Sequence, residues 1–206
     1  MESREHASCP KLAVTPRSSH NRLVKRPFFT VGHSNRRLEE LVELLRQAGV
    51  ELLLDIRKIP MSRAHPQFNQ QTLPQALAGF GIDYEPIAAL GGRRGKTPGV
   101  PSDLNGFWTN QSFHNYADYA LSPPFHAGLE HLLERGRRRS CAVMCSEAVW
   151  WRCHRRIVAD YLIARGETVL HIMGNGRAVP ASLTPGALVQ ADGTLIYPVP
   201  PESPAS

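Results

Sequence analysis

The chain has few cysteines, little lysine and no long uninterrupted apolar run. Its 206 residues include four cysteines, and only four of the 24 basic residues are lysines, so the remainder are arginines. No apolar stretch is long enough to span a bilayer, and the N-terminal region has no apolar core like that of a signal peptide. We therefore expect a soluble, cytoplasmic protein with no membrane partner.

The cysteines are too sparse for the disulfide framework of a small secreted domain, which favours a reducing compartment. Their spacing matches no standard zinc pattern, so we assign no metal ligand and expect no cofactor. A metal-stabilised structural domain stays an open alternative, since thiols and imidazoles are suitable zinc ligands. The candidate ligands are Cys145, Cys153, His154 and His33.

Charge and arginine content point to an anionic partner. The formal net charge is +6, and the planar guanidinium group suits bidentate binding of phosphate or carboxylate. Nucleic acid or a nucleotide is therefore the expected partner, although a basic composition also simply keeps a protein soluble. The sequence does not fix the oligomeric state.

The 42% hydrophobic content is enough for one substantial core. Residues 1–26 lack apolar periodicity and are predicted to form a mobile basic arm. Residues 27–197 are predicted to form a single α/β domain, and residues 198–206 a proline-rich tail.

Buried strands alternate with amphipathic helices along this domain. Residues 28–32 and 51–56 are predicted strands, and the helix between them has Ser34 or Asn35 as its expected cap. Further strands are predicted at residues 139–145 and 168–173. This alternation predicts a mostly parallel sheet with helices on both faces, a Rossmann-like three-layer arrangement. Asp192-Gly193 indicates an additional C-terminal β-hairpin.

Polar residues follow the predicted strands. They are His33 and Ser34, Asp55 and Arg57, Cys145 and Glu147, and Gly174-Asn175-Gly176. The carboxyl ends of parallel strands meet at one edge of a sheet, so we expect all four groups to converge there.

Two chemistries fit these residues. In a thiol mechanism Cys145 is the nucleophile, with His154 or His33 as its base. Cys153 is an alternative thiol because it lies near a helix N-terminus and neighbouring cations. In the second route Glu147 and Asp55 act as acid and base with His33 assisting, although an Asp55–Arg57 ion pair that only fixes the loop explains those two residues equally well.

Several motifs together resemble a family of bacterial and archaeal proteins, domain-of-unknown-function family 488. The resemblance spans about residues 28–173, and the motifs lie in the family's order. It implies an α/β domain with a polar pocket built from these motifs, with no established reaction. The motifs are Thr30-Val31-Gly32-His33-Ser34, Asp55-Ile56-Arg57 with Pro60-Met61-Ser62-Arg63, Leu90-Gly91-Gly92, and Met144-Cys145-Ser146-Glu147 with Cys153-His154-Arg155.

The leading hypothesis is an intracellular enzyme, of hydrolase or transferase type, that acts on a phosphate-bearing substrate such as nucleic acid or a nucleotide. The predicted catalytic residues are Cys145, Glu147, His154, His33 and Asp55, and the predicted substrate-binding residues are Arg57, Ser34, Arg63, Arg155 and Trp108. The alternative is a noncatalytic nucleic-acid-binding module that stacks bases on its tryptophans, Trp108, Trp150 and Trp151.

Overall fold

The computed structural model describes residues 25–200. Most of the predicted basic arm and of the proline-rich tail, residues 1–24 and 201–206, lies outside the described residues. The strands are β1 (Phe28–Gly32), β2 (Leu52–Asp55), β3 (Asp83–Pro86), β4 (Cys141–Cys145), β5 (Val169–Ile172), β6 (Ala178–Pro180), β7 (Leu188–Val189) and β8 (Leu195–Ile196). The helices are α1 (Leu38–Gln47), α2 (Leu73–Ala78), α3 (Gln111–Tyr119), α4 (Pro123–Arg138) and α5 (Arg155–Ala164).

The main sheet has the order β3-β2-β4-β1-β5-β6. Its first five strands are parallel, β6 is antiparallel to β5, and β7 and β8 form a separate antiparallel hairpin. The predicted mostly parallel sheet and C-terminal hairpin are therefore confirmed. Strand β6 was not predicted, because it has only three residues and none of them is fully buried.

Helices cover both faces of the sheet, as expected. Helices α1 and α2 pack on one face against strand residues such as Val31 and Leu53. Helices α3, α4 and α5 pack on the other face against alternate residues such as Leu54 and Val143. Because side chains alternate between the faces of a strand, the continuous apolar runs of β1, β2 and β4 supply both cores.

Strand β4 lies between β1 and β2. In the dinucleotide-binding fold β1 and β2 are direct neighbours, so the narrower Rossmann-like description does not follow from this strand order. The register pairs Gly32 with Cys145 and Asp55 with Met144. The carboxyl ends of these three strands consequently lie side by side in the middle of the sheet.

The prediction for the start of α1 is wrong. Ser34 and Asn35 do not cap this helix; the cap is Arg37, whose backbone N–H donates to Glu40 Oε2 at 3.0 Å. Ser34 instead has a φ of 52° and donates its backbone N–H to Ser146 O at 2.9 Å. The turn after β1 is thus tied to the segment that follows β4, which sequence spacing alone does not show.

Within residues 25–200, no helix is long and apolar enough to cross a membrane.

Candidate functional site

A cleft of about 1000 Å³ opens at the carboxyl ends of β1, β2 and β4. Its walls include His33 and Ser34 after β1, Arg57 after β2, and Cys145 and Glu147 at the end of β4. Three of the four polar groups expected at this edge therefore converge. Gly174-Asn175-Gly176 does not line the cleft, because the chain after β5 turns directly into β6, with Met173 N–H donating to Arg177 O at 2.8 Å.

Two thiols and an imidazole form one group on the wall of this cleft. Cys145 Sγ and Cys153 Sγ each lie 3.7 Å from His154 Nδ1. The three atoms all lie within 4.8 Å of one another. Cys145 ends β4 and His154 caps α5, so the strand order and the short 3-10 turn between them (Trp150–Arg152) bring them together. We refer to Cys145, Cys153 and His154 as the sulfur–imidazole cluster.

The hydrogen bonds of His154 define its tautomer. Its Nε2 lies 3.1 Å from the carbonyl oxygen of Ile56. A carbonyl only accepts, so Nε2 carries the proton and Nδ1 presents its lone pair. That lone pair points to the two sulfur atoms, and it is available to a proton or to a metal ion.

The two thiols of the cluster differ in acidity. A hydrogen bond with Cys153 and burial raise the pKa of Cys145 to about 12. Burial also opposes ionisation of Cys153, but hydrogen bonds from Cys145 and Arg155 and the charge of Arg155 outweigh it and lower the pKa of Cys153 to about 6. Cys153 is therefore the more readily ionised thiol, in contrast to the expectation that Cys145 is the nucleophile.

Arg155 is predicted to bind substrate, yet its side chain lies behind the cluster rather than in the cleft. It is 1% exposed, and its Nε and backbone N–H donate to Cys153 Sγ at 3.3 and 3.5 Å. Its Nη2 donates to Glu147 O at 2.6 Å. Among the described residues it forms no ion pair with a carboxylate. A buried guanidinium needs a counter-charge, and the Cys153 sulfur is the group placed to supply it.

Asp55 supports Arg57 from behind. Its Oδ1 accepts from the backbone N–H and Nε of Arg57 at 2.9 Å, and its Oδ2 accepts from Arg57 Nη2 at 2.6 Å and from Tyr84 Oη at 2.7 Å. The carboxylate is buried and does not line the cleft. This geometry favours the ion-pair interpretation of Asp55. The carboxylate does not reach a substrate in the cleft, so the predicted role of Asp55 as acid or base is not supported.

His33 completes this network. Its Nδ1 donates to Ser34 O at 2.8 Å, so Nε2 accepts from Arg57 Nη1 at 3.2 Å. Burial and, to a smaller degree, the Arg57 charge lower the pKa of His33 to about 4. The imidazole is therefore neutral at pH 7 with its lone pair already engaged, which suits positioning of Arg57 better than general-base catalysis.

The rim of the cleft is cationic and partly apolar. The cleft is lined by four cationic side chains and by one carboxylate, that of the exposed Glu147. The cationic residues are Arg57, Lys58, Arg93 and Arg152. Three large apolar side chains on the same rim are 46% to 60% exposed, namely Ile59, Met61 and Trp151. Exposed apolar side chains next to cations suit a ligand that has both an anionic and a flat apolar part.

Some predicted site residues lie elsewhere. Arg63 is exposed and does not line the cleft. Trp108 is 7% exposed and packs in the core, where its ring stacks on Phe113 at 4.9 Å between centroids. Trp150 stacks on His171 at 4.3 Å. Of the three tryptophans suggested for base stacking, Trp151 alone lines the cleft.

The site also contains basic residues outside the predicted set of site residues. Lys58 follows Arg57 directly, and Arg152 lies between Trp151 and Cys153, so both were close to recognised motifs. Arg93 lies in a glycine-rich loop where it has a φ of 56°. Long loops within compact domains commonly carry function, and this was the available signal for Arg93.

His171, beside Trp150, gives a pH-dependent prediction. Burial lowers the pKa of His171 to about 4, and its Nδ1 lies 2.7 Å from Thr30 Oγ1. The unfolded chain binds a proton near pH 6.5 and the folded protein does not, so this contribution to stability is complete above pH 6.5 and is lost as the pH falls towards 4. Urea denaturation measures the free energy of unfolding at each pH. Between pH 7 and pH 4 we expect this free energy to fall by about 2 kcal/mol less in His171→Gln than in the wild type. An NMR titration that gives His171 a pKa near 6.5 would contradict this.

One protein family matches most of the chain. The model of the family described as "Domain of unknown function DUF488" matches residues 37–162. The chain belongs to the DUF488 family. Neither the curated proteins nor the solved structures gave a match.

The DUF488 match contains most of the site. The range from α1 to α5 includes Asp55, Arg57 and the whole sulfur–imidazole cluster. His33 and Ser34 lie before the matched range, although they line the same cleft. The description of the family names no reaction.

Proposed function

We propose that this DUF488 protein is an enzyme that acts on a phosphate-bearing substrate, nucleic acid or a nucleotide, by hydrolysis or group transfer. The observation that carries the proposal is the sulfur–imidazole cluster on the wall of a cationic cleft. Thiols and an imidazole with a free lone pair supply reactive groups, and clusters of perturbed titratable groups in clefts mark functional sites more often than chance.

The charge of the cleft supports an anionic substrate. Arg93, Arg152 and Lys58 are exposed, so they reach a ligand without large rearrangement. Arg57 lines the cleft and is fixed by Asp55 and Phe68 O, and Nη1 makes a single hydrogen bond within the described residues, to His33. Guanidinium groups held in place bind phosphate with little further loss of side-chain entropy.

The apolar rim supports a substrate that carries a base. Trp151 is 46% exposed beside Arg152, and Ile59 and Met61 lie on the same rim. Base stacking on an aromatic ring contributes about 1–3 kcal/mol per base. A cleft of about 1000 Å³ accommodates a nucleotide or a strand end.

The remaining residues have distinct roles in this proposal. His154 acts as the base of the cluster through Nδ1, and the exposed carboxylate of Glu147 exchanges protons with the substrate. Asp55 and His33 position Arg57 and do not touch the substrate. Arg155 fixes Cys153 and the Glu147 carbonyl.

The binding step is tested with nucleoside phosphates and with short DNA and RNA strands, by calorimetry at several salt concentrations. We expect Arg93→Gln and Arg152→Gln each to weaken binding about 10-fold, which is the cost of one charge-assisted hydrogen bond. The matched control is Arg138→Gln, because Arg138 pairs with Glu134 on α4 and does not line the cleft. Equal affinities for all three variants and the wild type would contradict the proposal.

The chemical step is tested by product analysis with the same compounds. We expect His154→Asn and Cys153→Ser to abolish turnover while binding stays within about threefold of the wild type, because these groups act on the reacting atoms rather than on the phosphate. Turnover that persists in both folded variants would contradict a role of the cluster.

One observation favours a second function, a noncatalytic nucleic-acid-binding module. The exposed Trp151 and Arg152 form a small stacking and phosphate-binding surface that requires no chemistry. Salt-dependent binding of a strand that Trp151→Ala weakens, without turnover of any tested compound, would select this function over the enzyme.

A further inference from the structure

The sulfur–imidazole cluster has three ligand atoms of the kinds that bind zinc, and their sulfur–nitrogen spacing is close to that of a tetrahedral metal site. Zinc binds thiolates at about 2.3 Å and imidazole at about 2.0–2.1 Å, which places sulfur and nitrogen ligands of a tetrahedron about 3.5–3.6 Å apart. Both sulfur-to-Nδ1 distances here are 3.7 Å. All three ligand atoms already lie within 4.8 Å of one another, so a metal ion requires only a small adjustment of the side chains.

A second observation concerns the outer contacts of the cluster. A metal-bound histidine usually donates its other ring N–H to a carboxylate or backbone carbonyl, which fixes the tautomer and the ring orientation. His154 has this arrangement, since Nε2 donates to Ile56 O at 3.1 Å. Gly92 packs against the ring close to Nδ1, and a Cβ there would lie 2.8 Å from Nδ1. The lone pair of Nδ1 is therefore directed and closely bounded.

A third observation concerns Cys153. Its sulfur accepts two N–H groups from Arg155, and donors of this kind stabilise a deprotonated sulfur, the form that binds metal. The spacing of seven residues between Cys145 and Cys153 matches no common zinc motif. The sequence offers these residues only as chemically suitable ligands together with His33, and the fold shows which three of them lie together.

We propose that Cys145, Cys153 and His154 bind one Zn²⁺ ion, with the fourth coordination position left to water or substrate. All three residues line the cleft. Two cysteines and one histidine with an open position form a known type of catalytic zinc site, whereas structural zinc sites have four protein ligands. The ion site stands by itself; its use in catalysis rests on the function proposed above.

In that use His154 Nδ1 is a zinc ligand, and zinc-bound hydroxide takes the place of His154 as the reacting base. The zinc would lower the pKa of its bound water to about 7 and so supply hydroxide at neutral pH. The water proton passes to Glu147 or to solvent. For hydrolysis at phosphorus, the hydroxide oxygen forms the new P–O bond, the bond from phosphorus to the leaving oxygen breaks, and the leaving oxygen takes up a proton. Water is the sole co-reactant of this step.

The test of the ion site uses the full-length protein with Cys9→Ser, purified under reducing conditions, so that the number of thiols is defined. After incubation with Zn²⁺ and desalting, we expect one zinc per chain by elemental analysis. With Co²⁺ we expect intense visible bands of a tetrahedral ion and sulfur-to-cobalt charge-transfer bands of two thiolates. Loss of either cysteine should weaken zinc binding by more than about 100-fold, because loss of a group that only hydrogen-bonds to a ligand costs roughly 10- to 100-fold.

Matched variants separate loss of ligands from loss of fold. Cys141→Ala removes a buried thiol of the same strand and should leave zinc binding unchanged. Gly92→Ala should weaken binding by displacing the imidazole, whereas Gly95→Ala, in the same loop with no atom within 4 Å, should not. Circular dichroism verifies that each variant is folded.

Three outcomes would overturn the metal site. They are no zinc in the reduced wild-type protein, zinc retained by folded Cys145→Ser or Cys153→Ser, and cobalt spectra without thiolate bands. Zinc bound at one per chain without turnover of any nucleotide or nucleic acid would support the ion site and contradict the proposed function. Turnover that is unaffected by chelation would support the proposed function and overturn the catalytic use of zinc.

Discussion

Gly32→Ala is expected to destabilise the protein by more than about 4 kcal/mol, a large part of the roughly 5–15 kcal/mol by which native domains are stable. A Cβ at this position would lie 1.8 Å from Glu147 O and 2.7 Å from Glu147 C. Both are backbone atoms, so no rotamer change relieves the overlap. The carbonyl is also held by Arg155 Nη2 at 2.6 Å, so moving it costs a buried hydrogen bond.

The measurement is chemical denaturation followed by circular dichroism, with Gly95→Ala as the control. Gly95 has no atom within 4 Å of an added Cβ and no positive φ, so its substitution should change stability by less than about 0.5 kcal/mol. A free energy of unfolding for Gly32→Ala within about 1 kcal/mol of the wild type would contradict the close contact between β1 and the segment after β4.

Asp55→Asn is expected to cost about 3–5 kcal/mol, because it leaves the buried Arg57 without its counter-charge. The Asp55 and Arg57 side chains are 0% and 6% exposed, and four N–H or O–H groups converge on the carboxylate. Binding of phosphate compounds should weaken as well, since Arg57 loses its fixed orientation. Both effects are measured on the same variant, by denaturation and by calorimetry.

The matched control is Asp83→Asn on the neighbouring strand. Asp83 pairs with Arg139 in an ion pair whose side chains are 64% and 37% exposed, and exposed pairs contribute at most about 1 kcal/mol. A double variant, Asp55→Asn with Arg57→Met, should recover part of the lost stability because it removes the unpaired charge. Equal costs at Asp55 and Asp83 would rule out the positioning role of Asp55.

The sequence predicted most of the fold because the apolar runs are unambiguous. The buried strands ending at Gly32, Asp55 and Cys145 were found from continuous apolar residues, and the hairpin from Asp192-Gly193. The sequence did not reveal that β4 lies between β1 and β2, because strand order depends on long-range packing. The start of α1 was misplaced because the bond between Ser34 N–H and Ser146 O joins distant segments.

Part of the site could also be predicted, because its residues follow the predicted parallel strands. His33, Arg57, Cys145, Glu147 and His154 were expected at one rim and are found there, since parallel strands share their carboxyl edge. The sequence could not show which side chains face the cleft. Burial of Asp55, Arg155 and Trp108 is decided by partners far along the chain, and the role of Arg93 depends on how a long loop folds back.

The position of β1 has a consequence for synthesis of the chain. Its two neighbours in the sheet are β4, which begins at Cys141, and β5, which begins at Val169. On the ribosome β1 therefore has no neighbour in this sheet until β4, more than 100 residues further along the chain, has been translated. Such non-local pairing slows folding and leaves an apolar edge open to association in the meantime. Nascent chains that stop before β4 should accordingly depend on chaperones.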